Sequence, residues 1–162
     1  MIFRETNISG AWEVGLNPLG DDRGFFARAW CREEFAAKGI TMELSQANLS
    51  FSQEAGTIRG MHFQRSPHEE MKVVRCLRGS IFDVVMDLRP DSPTFCKWHG
   101  EELSADNRRM LVVPEGCAHG FQTLVANTEV FYLVSKAYAP ESEGGVRWDD
   151  PAFGIKWPLP VN

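Results

Sequence analysis

An arginine and a histidine lie three residues apart in the segment Thr57–Gln64 (TIRGMHFQ). Turn signals at 54–56 and 66–67 border the segment, which is therefore predicted to be a short β-strand. Arg59 can grip a phosphate or carboxylate with its planar guanidinium, and a neutral His62 can accept a proton near pH 7. The alternative is a structural histidine beside a surface arginine, because buried titratable groups often serve packing.

Two tyrosines add candidate proton donors. Tyr132 and Tyr138 are the only tyrosines of the chain, which has eleven phenylalanines. Their spacing of six residues places both on one face of a strand predicted over 129–139. A phenol can donate a proton or hydrogen-bond an oxyanion, but aromatic residues also favour strands for packing alone. The sequence leaves both interpretations open.

A lysine and an aspartate are predicted to share one face of a β-hairpin over 71–88. Two apolar segments flank the dipeptide Arg78-Gly79, which is typical of a tight turn between paired strands. A two-residue turn places Lys72 and Asp83 on the same, otherwise apolar, face. Charges in such a setting need each other or a ligand, so the pair is either a structural ion pair or part of a site.

The segment Pro114–Phe121 (PEGCAHGF) contains a Pro-x-Gly-x-x-His pattern. It is similar to the second motif of the cupin superfamily, whose fold is a double-stranded β-helix. The first cupin motif offers a His-x-His pair and a glutamate to a metal, whereas no second histidine follows His62. The chain has four histidines, and His68 and His99 fall in loop-like contexts. We therefore predict no metal site, and favour acid–base chemistry inside a barrel.

The composition is that of an ordinary globular protein, with 43% hydrophobic and 24% charged residues in 162. We expect a single domain over 1–162. A net charge of −5 argues against non-specific binding to nucleic acid or to membranes. No apolar run approaches the roughly 18 residues of a membrane span. The four cysteines form no CxxC pair, which favours free thiols in a reducing cytoplasm.

Turn signals at even spacing separate many short β segments, which predicts a mainly β fold of the jelly-roll, sandwich or barrel kind. Polar and apolar residues alternate over 46–51, as expected for a strand with one face of each kind. The best helix of the chain covers Cys31–Lys38 and ends at Gly39. The cupin-like motif points to the cupin-type jelly roll with one short N-terminal helix.

Eight segments together resemble the dTDP-4-dehydrorhamnose 3,5-epimerase family of the cupin superfamily. Their length and order are specific, and they run nearly from end to end of the chain. They are DDRGFF (21–26), QANLSFS (46–52), GTIRGMHFQ (56–64), KVVRCLRGSIFDVVMDLR (72–89), SPTFCKWHG (92–100), LSADNRR (103–109), PEGCAHGFQTL (114–124) and GGVRWDDPAFGIKWPL (144–159).

The resemblance implies an epimerase that inverts C3, C5 or both in a 4-keto-6-deoxyhexose linked to a nucleoside diphosphate. The family needs no metal or redox cofactor, because the C4 ketone acidifies the neighbouring protons. The implied setting is rhamnose-type deoxysugar synthesis for cell-surface polysaccharide, by a cytoplasmic homodimer. A sugar-nucleotide 3,4-ketoisomerase and a metal-dependent cupin are the alternatives, and a sugar-binding cupin without activity is a third.

The same resemblance assigns roles to residues at matching positions. His62 matches the base that removes the carbon-bound proton, and Tyr132 matches the acid that returns one from the opposite face. Lys72 matches the lysine beside the C4 oxygen, where an ammonium stabilises an enolate. Asp150 is assigned to orient His62, with Asp149 as the second choice.

Further positions match substrate contacts of the family. Tyr138 matches a tyrosine near the nucleotide base, and Arg28 stands where thymidine-specific members usually have an acidic residue. That difference leaves a CDP- or GDP-linked sugar open beside a dTDP-linked one. We also expect Phe26 or Arg28 to reach the site of a partner subunit. The matching positions are Arg23, Phe26, Arg28, Gln46, Asn48, Arg59, His119, Tyr138 and Glu143.

Overall fold

The computed structural model describes residues 1–162 and is built almost entirely from antiparallel strands. The elements are β1 (Ile2–Glu5), β2 (Trp12–Gly15), β3 (Leu19–Asp21), β4 (Gly24–Phe26), α1 (Arg32–Ala36), β5 (Gln46–Ser52), β6 (Ile58–Gln64), β7 (Lys72–Arg78), β8 (Ser80–Asp87), β9 (Trp98–Ser104), β10 (Met110–Val113), β11 (Cys117–Thr123), β12 (Thr128–Val134), a 3-10 turn at Pro140–Ser142, and β13 (Glu143–Gly145). One sheet has six strands in the order β1-β2-β10-β7-β12-β5, and a second has five in the order β13-β6-β11-β8-β9. Strands β3 and β4 form a separate hairpin.

The two large sheets pack face to face around one apolar layer. Val74 and Val130 reach it from the six-stranded sheet, and Val85 and Phe121 reach it from the five-stranded sheet. Neighbouring residues along each strand point the other way, as the two-residue period of a strand requires. The predicted mainly β, cupin-type jelly roll is confirmed.

Two further apolar layers cover the outer faces of the sheets. Phe35 of α1 is fully buried against the six-stranded sheet, and Phe153 and Trp157 pack on the outside of the five-stranded sheet. The predicted helix is therefore present, but it ends at Ala36, because the following residues tighten into i→i+3 hydrogen bonds before Gly39. No helix of the structure has the length and apolarity to cross a bilayer.

The predicted hairpin over 71–88 is wrong. Strand β7 pairs with β10 and β12, whereas β8 pairs with β11 and β9 of the other sheet. Gly79 has a φ of +77°, and a Cβ there would lie 2.5 Å from Oγ1 of Thr128. A glycine turn between two apolar strands suits a corner between sheets as well as a hairpin, and local sequence does not distinguish them. Lys72 and Asp83 consequently form no ion pair.

Strand β12 ends at Val134, five residues before the predicted end at 139. The backbone N–H of Ser135 donates to the carbonyl of Met71, and the chain then leaves the sheet for the 3-10 turn. Tyr138 therefore lies in a connection, and the predicted common strand face for the two tyrosines is wrong. Strand β9 was not predicted, because its mixed sequence WHGEELS lacks a clear alternation.

Candidate active site

The main cleft lies between the two sheets and consists of two adjoining cavities of about 350 and 420 Å³. Three side chains line both cavities, namely His62, Lys72 and Tyr132. The residues that the sequence singled out for proton chemistry thus meet in one place. A cleft of this size, with a few convergent polar groups, suits a small-molecule substrate.

The histidine and the tyrosine come from opposite walls of the cleft. His62 belongs to β6 of the five-stranded sheet, whereas Tyr132 belongs to β12 of the six-stranded sheet. Lys72, the first residue of β7, lies on the same wall as Tyr132. A flat ligand between the sheets would therefore have the imidazole on one side and the phenol on the other.

An irregularity in β6 brings the arginine and the histidine into the same cleft. On a regular strand, Arg59 and His62 would point to opposite faces. Here the pairing register shifts, so that Gly60 and Met61 lie opposite the single residue Gly120 of β11. Gly60 has a φ of +139°, and a Cβ there would lie 2.5 Å from the Cα of Gly120. Only glycine fits this position, which explains the Arg-Gly dipeptide.

The surroundings of His62 favour its uncharged form. Burial lowers the pKa of His62 below its usual 6.5, and the nearby Lys72 ammonium lowers that pKa further. The Glu143 carboxylate acts in the opposite direction but does not reverse the shift. At pH 7 the imidazole is therefore mostly neutral and can accept a proton.

The surroundings of Tyr132 favour its protonated form. Burial raises the pKa of the Tyr132 phenol above 10, and the Glu70 carboxylate raises that pKa further, whereas Arg59 lowers it. The phenol therefore carries its proton across the physiological range and can act as a donor. A neutral base and a protonated acid on opposite walls are suited to moving a proton from one face of a ligand to the other.

The histidine that pairs with a carboxylate is His119 rather than His62. Its Nε2 lies 2.8 Å from Oδ1 of the fully buried Asp83. His119 lies directly opposite His62 on the neighbouring strand and lines the second cavity. The prediction that Asp83 shares a face with Lys72 followed from assigning β7 and β8 to one hairpin. Because β8 pairs with β11 instead, the partner of Asp83 is His119.

The predicted contact of Asp150 with His62 is absent from the structure. Oδ1 of Asp150 accepts the backbone N–H of Ala152, and Asp149 pairs with Arg147 at 2.7 Å. This turn lies next to Phe153, which packs on the outer face of the five-stranded sheet. His62 lines the cleft on the inner face of that sheet, and neither aspartate bonds to it.

Lys72 pairs with a carboxylate that no sequence motif marks. Its Nζ lies 3.0 Å from Oε1 of Glu70, and each side chain is only 12% exposed. Glu70 also lines the first cavity. A short Glu-x-Lys spacing before a strand carries no distinctive signal, because charged pairs of this kind are common on protein surfaces.

Four of the predicted substrate contacts lie together around the first cavity. Tyr138 connects two of the others, because its hydroxyl donates to Oε2 of Glu143 at 2.7 Å and its backbone N–H donates to Oε1 of Gln46 at 2.8 Å. Asn48 lies opposite Tyr132 on the neighbouring strand. The exposed Tyr138 ring therefore stands at the entrance of the cavity, held from both sides of the cleft.

Three other predicted contacts lie outside the cleft of their own chain. Arg23 and Phe26 belong to the β3–β4 hairpin, where Phe26 is 73% exposed and Arg23 pairs with Asp21 at 2.6 Å. Arg28 pairs with Glu34 at 2.9 Å. None of the three lines either cavity.

Titratable side chains line the cleft, and some of them have no partner within the chain. No group of three or more His, Cys, Asp or Glu side chains in the structure is arranged to hold a metal ion. His119 already bonds to Asp83, while the ring nitrogens of His62 and the hydroxyl of Tyr132 form no hydrogen bond with another residue. Both groups are therefore free to act on a ligand.

Comparison with known proteins agrees with this geometry. The family model described as dTDP-4-dehydrorhamnose 3,5-epimerase matches residues 5–162. A protein of that name from Sinorhizobium fredii is 43% identical over 158 residues, which cover 98% of this chain and 81% of the relative. The Salmonella typhimurium protein of that name is 45% identical over 160 residues, covering 98% of this chain and 87% of the relative.

Solved structures give the same result. The dTDP-4-dehydrorhamnose 3,5-epimerase of Bacillus anthracis, crystallised with TDP and PPi bound, has a TM-score of 0.94 at 45% identity, covering 99% of this chain and 93% of that one. The Legionella pneumophila enzyme in complex with dTDP-4-keto-L-rhamnose has a TM-score of 0.92 at 37% identity, with 99% and 86% covered. The chain belongs to the dTDP-4-dehydrorhamnose 3,5-epimerase family and is an enzyme of the isomerase class.

Proposed function

We propose that the protein inverts C3 and C5 of a dTDP-linked 4-keto-6-deoxyhexose, with His62 as base and Tyr132 as acid. The observation that carries the proposal is the position of the two groups on facing sheets around one cleft. Inversion at carbon needs a proton to leave from one face and another to arrive at the opposite face. A base and an acid on the same wall would return the proton to where it came from.

Each inversion has two proton transfers. The neutral imidazole of His62 takes the proton on the carbon beside the C4 ketone, and the bonding electrons move to the C4 oxygen as an enolate. The Lys72 ammonium stabilises this developing negative charge. The electrons then return to carbon as it takes the phenolic proton of Tyr132 from the other face. Exchange with water reprotonates the tyrosinate and deprotonates the imidazolium.

The remaining cleft residues are proposed to bind the nucleoside diphosphate. The Arg59 guanidinium donates from Nε to Oγ of Ser52 and from one terminal nitrogen to the carbonyl of Phe51, each at 3.0 Å. Its other terminal nitrogen bonds to no residue of the chain, so a held guanidinium presents free donors to a phosphate. Tyr138 at the cavity entrance offers a ring on which the base can stack, with Gln46, Asn48, His119 and Glu143 as further polar contacts.

Solvent deuterium exchange tests the proposal directly. The purified enzyme is incubated in D₂O with 4-keto-6-deoxyhexoses linked to dTDP, CDP or GDP, and NMR follows the protons on C3 and C5. We expect deuterium at both carbons and formation of the inverted sugar, with dTDP preferred because relatives are crystallised with TDP or dTDP-sugars. A product with the ketone moved to C3 would identify a ketoisomerase, and failure of every sugar to exchange would refute the proposal.

The setting of the reaction is inferred from the thiols. All four cysteines are free, including the exposed Cys96 and the partly exposed Cys31. Free exposed thiols persist in a reducing compartment. We therefore infer a cytoplasmic enzyme. Membership of the dTDP-4-dehydrorhamnose 3,5-epimerase family supports the further proposal that its product is a rhamnose-type sugar nucleotide used for cell-surface polysaccharide.

We also propose a homodimer in which the β3–β4 hairpin completes the site of the partner. The edge strand β5 turns Gln46 and Asn48 towards the cleft, and it leaves Leu49 and Phe51 63% and 49% exposed on its outer face. An apolar outer face on an edge strand needs a covering surface. The exposed Phe26 of the β3–β4 hairpin can pack on the outer face of the partner's β5 or insert into the partner's cleft.

Light scattering is expected to give twice the 18.3 kDa mass of the chain at micromolar concentration. Phe51→Glu should give a folded monomer, because it places a charge in the apolar contact.

Coexpression of His62→Ala with Arg23→Ala should restore activity that neither variant has alone, since one mixed site would then be complete. A wild-type monomer would refute the dimer, and absence of complementation would refute the exchange of residues between subunits.

A further inference from the structure

The ion pair between Glu70 and Lys72 lies within the cleft rather than on the surface of the protein. Both residues line the first cavity, together with His62 and Tyr132. Nζ of Lys72 lies 3.0 Å from Oε1 of Glu70, and no other acidic group pairs with this ammonium. At 12% exposure for each side chain, water screens the two charges much less than it screens a surface pair.

The segment that carries Glu70 is held in place by its neighbours. The backbone N–H of Met71 donates to Oγ of Ser135 at 2.8 Å, and the N–H of Ser135 donates back to the carbonyl of Met71 at 3.0 Å. On the other side, Nε2 of Gln64 donates to the carbonyl of His68 at 2.9 Å. The Glu70 carboxylate is therefore presented from a fixed backbone at the start of β7.

A lysine needs such an anchor if its ammonium is to stabilise charge at one atom of a ligand. Its four-carbon chain is flexible and its head group has no fixed orientation. Glu70, which lies just before β7, constrains the Lys72 side chain through the ion pair. The Glu70 carboxylate also raises the pKa of Tyr132, after the larger effect of burial, so that one side chain influences both groups of this wall.

We propose that Glu70 is a positioning residue, whose carboxylate holds the Lys72 ammonium in the part of the cleft that contains His62 and Tyr132. The proposal rests on the proposed epimerase function. It deepens that function by adding a residue that acts through Lys72 without contacting the reacting carbon. A bystander ion pair would leave the rate and the behaviour of Lys72 unchanged when Glu70 loses its charge.

Steady-state kinetics of three variants measure the catalytic part. Glu70→Gln removes the charge at nearly constant shape, and we expect kcat for deuterium exchange to fall about 10²-fold with a much smaller change in KM, as for a misplaced catalytic group. Glu70→Asp keeps the carboxylate and should recover part of the loss. Glu69→Gln is the matched control, because Glu69 lines neither cavity and forms no ion pair. The kcat of this variant should match that of the wild type. Wild-type kcat in Glu70→Gln would overturn the proposal.

Labelling of lysines tests the positioning without any substrate. An amine-reactive reagent must reach the side-chain nitrogen of Lys72, which the contact with the Glu70 carboxylate covers. Mass spectrometry should show Lys72 labelled more slowly than the exposed Lys38 in the wild type, and severalfold faster in Glu70→Gln, with no change in Glu69→Gln. Equal labelling of Lys72 in wild type and Glu70→Gln would overturn the positioning role. If Lys72 is protected in the wild-type protein but that protein exchanges no sugar proton, only the proposed epimerase function is refuted.

Discussion

Replacement of His62 by alanine is expected to abolish both the uptake of solvent deuterium and the formation of the epimer. The imidazole is the only neutral nitrogen base that lines both cavities, and no enolate forms without a base. Loss of a positioned general base lowers the rate about 10²–10⁴-fold. NMR in D₂O measures both processes in one sample.

The dependence on pH gives an independent check of this assignment. The base must be neutral, and burial lowers the pKa of His62, so kcat/KM should fall on acidification at a lower pH than it would for an unperturbed imidazole. His99→Ala provides the control, because His99 on β9 lines neither cavity and should leave the profile intact. Substantial exchange at C3 or C5 in His62→Ala would show that another group is the base.

Tyr132→Phe is expected to separate exchange from inversion. The enolate still forms, because His62 and Lys72 remain, and protonated His62 can return a deuteron from solvent to the original face. Deuterium uptake should therefore survive, while the epimer is lost by about 10²–10⁴-fold, the usual contribution of a general acid. Replacing the phenol by phenyl keeps the packing of the ring against the central apolar layer.

Tyr138→Phe is the matched control for this prediction. It removes the only other phenol hydroxyl of the chain, which donates to Glu143 at the cavity entrance. Its main effect should be a higher KM, with inversion retained. If Tyr132→Phe inverts the sugar at nearly the wild-type rate, Tyr138 or a bound water supplies the proton instead.

Several residues of the cleft could be predicted from the sequence because their side-chain types stand at recognisable positions. His62, Lys72 and Tyr132 were selected for proton and charge chemistry, and the structure brings all three into one cleft. The alternation over 46–51 also predicted β5 correctly, since a period of two is a local property of the chain. The long motifs were enough to identify the family.

The structure was needed wherever an assignment depended on which segments pair. The turn at Gly79 joins two sheets instead of closing a hairpin, so that Asp83 pairs with His119 of its own sheet. Lys72 pairs instead with Glu70, two residues earlier in the chain.

By itself, the sequence determined the family, the mainly β class and the groups able to move protons. The tertiary structure alone decided that His62 and Tyr132 face each other from different sheets, and that a bulge at Gly60 and Met61 turns Arg59 towards the same cleft. It also decided that Asp150 accepts a hydrogen bond from the backbone of Ala152 and forms none with His62. The physical reason is that strand pairing and sheet packing join residues far apart in the chain, through hydrogen bonds that any backbone can make.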